Sequence, residues 1–223
     1  AGITEDPPEL AAKDAWTTDK FFEMTAELKA AGLAGAVYNN YWATHDGFMT
    51  SAGGQVYDDA GKYVANKDPK SVTALQAYAE RFQKEELLIA DLMPESAGPD
   101  SLLVTHKLGF FAAGRYTIGS IRGGGADESL YDIVRWPTAD GKAAPTGVAA
   151  SYLAINAKAG DMDAALTFFS AFLNTNGQKL RLEDQGNAVP SISGADDLVL
   201  SGGYPKHAQT MLDMRDMGYS NFP

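Results

Sequence analysis

Short apolar runs alternate with amphipathic stretches of helix length along this chain, and no other feature constrains its fold as much. The runs are residues 33–38 (LAGAVY), 109–118 (GFFAAGRYTI), 131–136 (YDIVRW) and 147–155 (GVAASYLAI). Their length and their turn-forming neighbours read as buried strands, with Gly114 interrupting the second and Pro137 stopping the third. Between them, Thr17 is placed to cap a helix that keeps Phe21, Met24 and Leu28 on one face and stops at Gly32. Asp68 and Pro69 suit the cap and first turn of another helix, carrying Val72, Leu75, Ala79 and Phe82. Short helices are predicted over 48–52 and 100–107, and a hairpin over 55–67 that turns at 58–61. Residues 1–16 and 95–99 read as loops. Asp161 caps a helix expected to bury Leu166, Phe169, Phe172 and Leu173. Thr175 to Gln178 has capping-box spacing for the next helix, which Gly186 ends. A last helix over 204–217 places Ala208, Met211, Leu212 and Arg215 on one face. Strands alternating with helices define an α/β fold.

Charge narrows the partners. Eighteen Lys and Arg against 29 Asp and Glu give a net charge of −11 across 223 residues. A nucleic-acid binder needs a basic footprint and anionic lipid attracts basic segments, so both are excluded. With no cysteine, disulfides, thiolate zinc sites and thiol catalysis are excluded too. His45, His106 and His207 lie far apart, without metal-ligand spacing. Gly123-Gly124-Gly125 runs into Ala126-Asp127 and not into the Lys-Ser or Lys-Thr of a phosphate loop, and no G-x-S-x-G elbow occurs. No catalytic residue, metal or cofactor is therefore assigned.

The segment 39–46 (NNYWATHD) is the most suggestive. It follows an apolar strand, and ligands of open α/β sheets collect beyond the carboxyl ends of strands. Tyr41 and Trp42 beside amides and a carboxylate suit a sugar, whose C–H face packs on an aromatic ring while its hydroxyls form hydrogen bonds. The alternative is that both aromatics simply begin a core helix. Gly114-Arg115-Tyr116 is a second candidate, because a strand glycine marks close approach by a ligand or backbone.

Taken in order, eight blocks resemble one family. They are Ala1-Gly2-Ile3 with Pro7-Pro8 and Thr17 to Phe21; Ser51-Ala52-Gly53-Gly54; 68–82; 103–116; Trp136-Pro137-Thr138 with Gly141-Lys142; 147–155; 161–173; and 174–190. Together they resemble the carbohydrate-binding group of extracellular solute-binding proteins of ABC importers, the maltose-binding-protein-like group. The resemblance implies a periplasmic-binding-protein-like, two-lobe fold. Residues 1–146 would be most of the C-terminal lobe, and 147–223 a hinge strand and helices returning to the N-terminal lobe. The remainder of that lobe would come from a missing segment of the parent chain or from a companion chain.

The family's stacking aromatic falls on Tyr116, which makes Tyr116 the implied sugar platform and Gly114 the close-approach residue. Arg115 stands at the family's usual proline, and either faces the cleft to bond a hydroxyl or carboxylate or points to solvent. Asn39, Tyr41, Trp42 and His45 lie where the family places ligand contacts. Ala149, Ala150 and Ser151 match its hinge strand. The implied function is capture of a mono- or oligosaccharide outside the membrane by stacking and hinge closure, without covalent chemistry. Delivery would be to the membrane subunits of an importer, from a parent protein anchored as a lipoprotein. The alternatives are a glycan hydrolase using two of the 29 carboxylates, or an interaction or scaffold domain that binds no ligand.

Overall fold

The computed structural model of the chain describes residues 1–94, 97–183 and 188–219. Its centre is a parallel sheet of three strands, β1 (Ala34–Tyr38), β2 (Leu87–Ile89) and β3 (Leu108–Ala112), in the order β2-β1-β3. Val37 pairs with Leu88 on one side and Phe111 on the other, and is 0% exposed. Parallel neighbours require crossovers, and helices supply them. From β1 the chain runs through α3 (Trp42–Thr50) and α4 (Pro69–Gln83) to β2, then through α5 (Pro99–Val104) to β3.

Before the sheet come α1 (Pro7–Ala12) and α2 (Thr18–Ala30). Thr17 caps α2 by accepting from the Lys20 amide at 3.1 Å, and Asp68 caps α4 by accepting from Ser71 at 2.8 Å. An aromatic core fills one face of the sheet: Trp16, Phe21 and Phe22 below, Tyr38 in β1, Phe48 in α3 and Tyr78 in α4. The rings of Phe48 and Tyr78 stack with centroids 3.9 Å apart. Gly35 lets α2 close on β1, since a Cβ there would strike the Glu86 carbonyl and the Thr25 side chain. On the other face Val37 meets Leu103, Leu108 and Ile121. Ile121 belongs to α6 (Thr117–Gly123), which follows β3.

Several sequence expectations need correction. Residues 1–16 are not all loop, because Pro7 and Pro8 start α1. The helix expected at 48–52 begins earlier, at Trp42. The hairpin of 55–67 reduces to one antiparallel bridge, Tyr57 to Tyr63. The run 109–118 is strand only to Ala112; Ile118 and Ile121, three apart and both buried, follow the helical period of α6. Residues 131–136 form no paired strand, because side chains take their backbone groups. Asp132 accepts from the Ile133 amide, and the Trp16 indole donates to the Arg135 carbonyl at 2.9 Å.

The run 147–155 is not a buried strand either. Gly147 bridges Tyr219, the Val148 amide donates to the Tyr219 carbonyl at 2.8 Å, and 149–154 are exposed. Beyond it lies α7 (Met162–Leu173), capped by Asp161 as expected, but none of its residues is buried. Leu166 is 48% and Phe168 64% exposed. Asn174, not Thr175, caps α8 (Thr175–Leu182), and the expected stop at Gly186 lies outside the described residues. The last helices, α9 (Asp197–Leu200) and α10 (Gln209–Met217), share a small core of Val199, Ala208 and Leu212. The bidentate pair of Arg215 with Asp196, at 2.6 and 3.0 Å, joins them.

Candidate functional site

Because β1 and β3 are adjacent and parallel, their carboxyl ends deliver two chain segments to one edge of the sheet. Leaving β1, Asn39 and Tyr41 occupy the connection to α3. Leaving β3, Gly114, Arg115 and Tyr116 turn into α6. The segments meet where the Asn39 amide nitrogen donates to the Tyr116 hydroxyl at 3.3 Å. Tyr41 and Tyr116 are 43% and 47% exposed, so each keeps ring surface open to a ligand. Partial burial, and then the neighbouring Tyr116 phenol, push the Tyr41 hydroxyl above its ordinary value. The Tyr41 phenol is therefore neutral near neutral pH and able to donate as well as accept.

Gly114 serves the ring beside it. A Cβ at this position would sit 3.0 Å from the Tyr116 ring, so glycine lets that ring lie over the backbone. Trp42 packs sideways, with its ring 5.9 Å from that of Tyr41 and 6.3 Å from that of Tyr219, while Gly147 closes on it. It is half-buried and buttresses Tyr41. His45 is exposed, and its Nε2 lies 2.9 Å from the Asn40 side-chain oxygen, which brings an amide and an imidazole to the rim.

Arg115 takes neither orientation expected of it. Its guanidinium donates to the carbonyls of Leu182 (3.4 Å), Ala188 (2.9 Å) and Leu198 (3.0 Å), which links this edge to the C-terminal helices. Ala150 and Ser151 are exposed, in an irregular stretch beyond Gly147, and share no hydrogen bond with the tyrosine cluster.

Two further residues belong to this neighbourhood. Asp46 is only 6% exposed, and its Oδ2 has no hydrogen-bond partner among the described residues. Burial raises its carboxyl above the ordinary value, partly offset by His45. Its i, i+4 spacing from Trp42 on α3 was legible in the sequence. Tyr219, which walls Trp42, is joined to this edge by the bridge with Gly147 and by backbone hydrogen bonds with Thr146 and Val148, and no local pattern announces those contacts. Among the described residues no three His, Cys, Asp or Glu side chains gather to hold a metal ion.

The parallel-sheet α/β architecture is of the periplasmic-binding-protein-like kind, as a likeness to a solved structure shows. The whole chain superposes on the maltose-bound structure of T. maritima MalE3, with a TM-score of 0.77 and 19% sequence identity. It spans 56% of the length of that protein. No protein-family model and no curated protein sequence matches the chain. The structural likeness establishes the fold.

Proposed function

We propose that the chain binds a carbohydrate at the carboxyl edge of its sheet, as part of a solute-binding protein that works outside the membrane and delivers its ligand to an ABC importer. One observation carries this reading. Two half-exposed tyrosine rings and an asparagine amide, held by different strands, converge at the edge where ligands of open α/β sheets collect. The rings offer flat apolar faces to sugar C–H groups, and Asn39, His45 and the phenols offer hydrogen bonds to hydroxyls. Arg115 is committed to backbone carbonyls, so the available polar groups suit a neutral saccharide better than an acidic one. Selectivity comes from those polar groups, because a site built for a hydroxyl disfavours an analogue lacking it. Closure about a hinge would shed water from the ligand, and no bond is made or broken.

The fold, shared with a protein solved with maltose bound, supports the reading at the level of ligand class. No helix among the described residues is long and apolar enough to cross a membrane. The test is a thermal-shift panel of neutral and acidic mono- and oligosaccharides, since a ligand of the native state raises the unfolding midpoint. A neutral saccharide that stabilises the wild type but not Tyr116→Ala supports the proposal. No shift with any saccharide contradicts it.

A further inference from the structure

The guanidinium of Arg115 closes two helix ends at once. Leu182 is the last residue of α8 and Leu198 lies in the single turn of α9, so both carbonyls are among the end groups that a helix cannot satisfy itself. The Leu182 carbonyl also sits at the negative end of the α8 dipole, where a cation is favoured. The third acceptor, the Ala188 carbonyl, lies between the two helices. Arg115 is half-buried, its Nε has no hydrogen-bond partner among the described residues, and desolvation draws its pKa down. A lysine could not replace it, since one ammonium on a flexible stem lacks the fork that reaches three acceptors.

The next residue in the chain is Tyr116. Its ring lies over Gly114 and its hydroxyl accepts from Asn39, so its position follows the backbone of residues 114–116. We infer that Arg115 is the positioning residue for Tyr116: by gripping the ends of α8 and α9 it fixes the tyrosine ring, and it makes that ring and the C-terminal helices move as one unit. The inference rests on the binding site proposed above for its functional meaning, but its mechanical content does not need a ligand.

The test uses the full chain with isotope-labelled tyrosine, the Tyr116 ring resonance being assigned through Tyr116→Phe. In Arg115→Lys the Tyr116 resonance is expected to shift or broaden while that of Tyr63, whose ring packs on Tyr57, stays in place. Amide exchange over 197–201 is expected to quicken about tenfold, the effect of losing one charge-assisted hydrogen bond. A residue that only stabilised the fold would lower the unfolding midpoint and leave the Tyr116 signal in place; that result overturns the inference.

A second measurement needs no variant. In the wild type under mild denaturant, the opening of 197–201 and the change at the Tyr116 ring are expected to share one midpoint. Opening of α9 with the ring unmoved also overturns the inference. If no saccharide binds the wild type, the proposed function fails, yet both arms still decide the role of Arg115. If saccharide binds, Arg115→Lys is expected to weaken it about tenfold with Tyr116 intact. Unchanged affinity counts against positioning even where binding itself stands.

Discussion

At the scale of single residues, the candidate site rests on faces left open and on one carboxyl shut in. Removing the Tyr116 ring removes a stacking face, so Tyr116→Ala should weaken a bound saccharide by about 1–2 kcal/mol, roughly tenfold, by analogy with aromatic pairs. Isothermal titration measures this, and the half-exposed position of the ring means the unfolding midpoint should barely change. Asp46 yields a pH prediction. Burial raises its carboxyl in the folded state, so the folded chain holds this proton more tightly than the unfolded chain does. That contribution is full below the unfolded carboxyl value and is lost as pH rises through the raised folded value. Asp46→Asn keeps the neutral shape, so it should melt above the wild type at about pH 7 and level with it at about pH 3. Melting curves of the pair across this range check the sign; a variant less stable at about pH 7 contradicts it.

At the scale of elements, local signals succeeded where local physics decides. Thr17, Asp68 and Asp161 each cap the helix their spacing announces, because a cap bonds only to the following turn. The run 33–38 became the central strand for the same reason, its apolar residues lying between clear breakers. Residues 131–136 and 147–155 look equally strand-like but find no strand partner among the described residues; pairing is a long-range property that composition does not carry. The short β2, which follows α4, is not legible in the sequence because three residues give no period to read. In the candidate site, Asn39 and Tyr41 were legible from their place after a strand, and Tyr116 from the resemblance. The bond joining Asn39 to Tyr116 and the three-carbonyl grip of Arg115 were not legible, since each spans more than sixty residues. The sheet also offers a direct test of packing. Gly35→Ala forces a methyl against the Glu86 carbonyl and Thr25, and should cost about 1–3 kcal/mol in denaturant unfolding.

At the scale of the whole molecule, the two ends of the chain differ in how well they are buried. The aromatic core around Tyr38 and Tyr78 is closed, whereas α7 turns Leu166, Phe168 and Leu173 outward, and Tyr152 and Leu153 are exposed as well. Exposed apolar area of this kind binds hydrophobic dyes. The chain should enhance the fluorescence of such a dye, and the double variant Leu166→Lys with Phe168→Glu should reduce that signal. Because these side chains are not buried, the unfolding midpoint should hold.

The central claim is that one saccharide sits on the rings of Tyr41 and Tyr116 at the carboxyl edge of the sheet. The measurement that meets it most directly is a saccharide titration followed through the ring resonances of labelled tyrosine. The account predicts that Tyr41 and Tyr116 shift together along one binding curve while Tyr63, whose ring packs on Tyr57, does not move. A saccharide that saturates the protein with both rings unperturbed would contradict it.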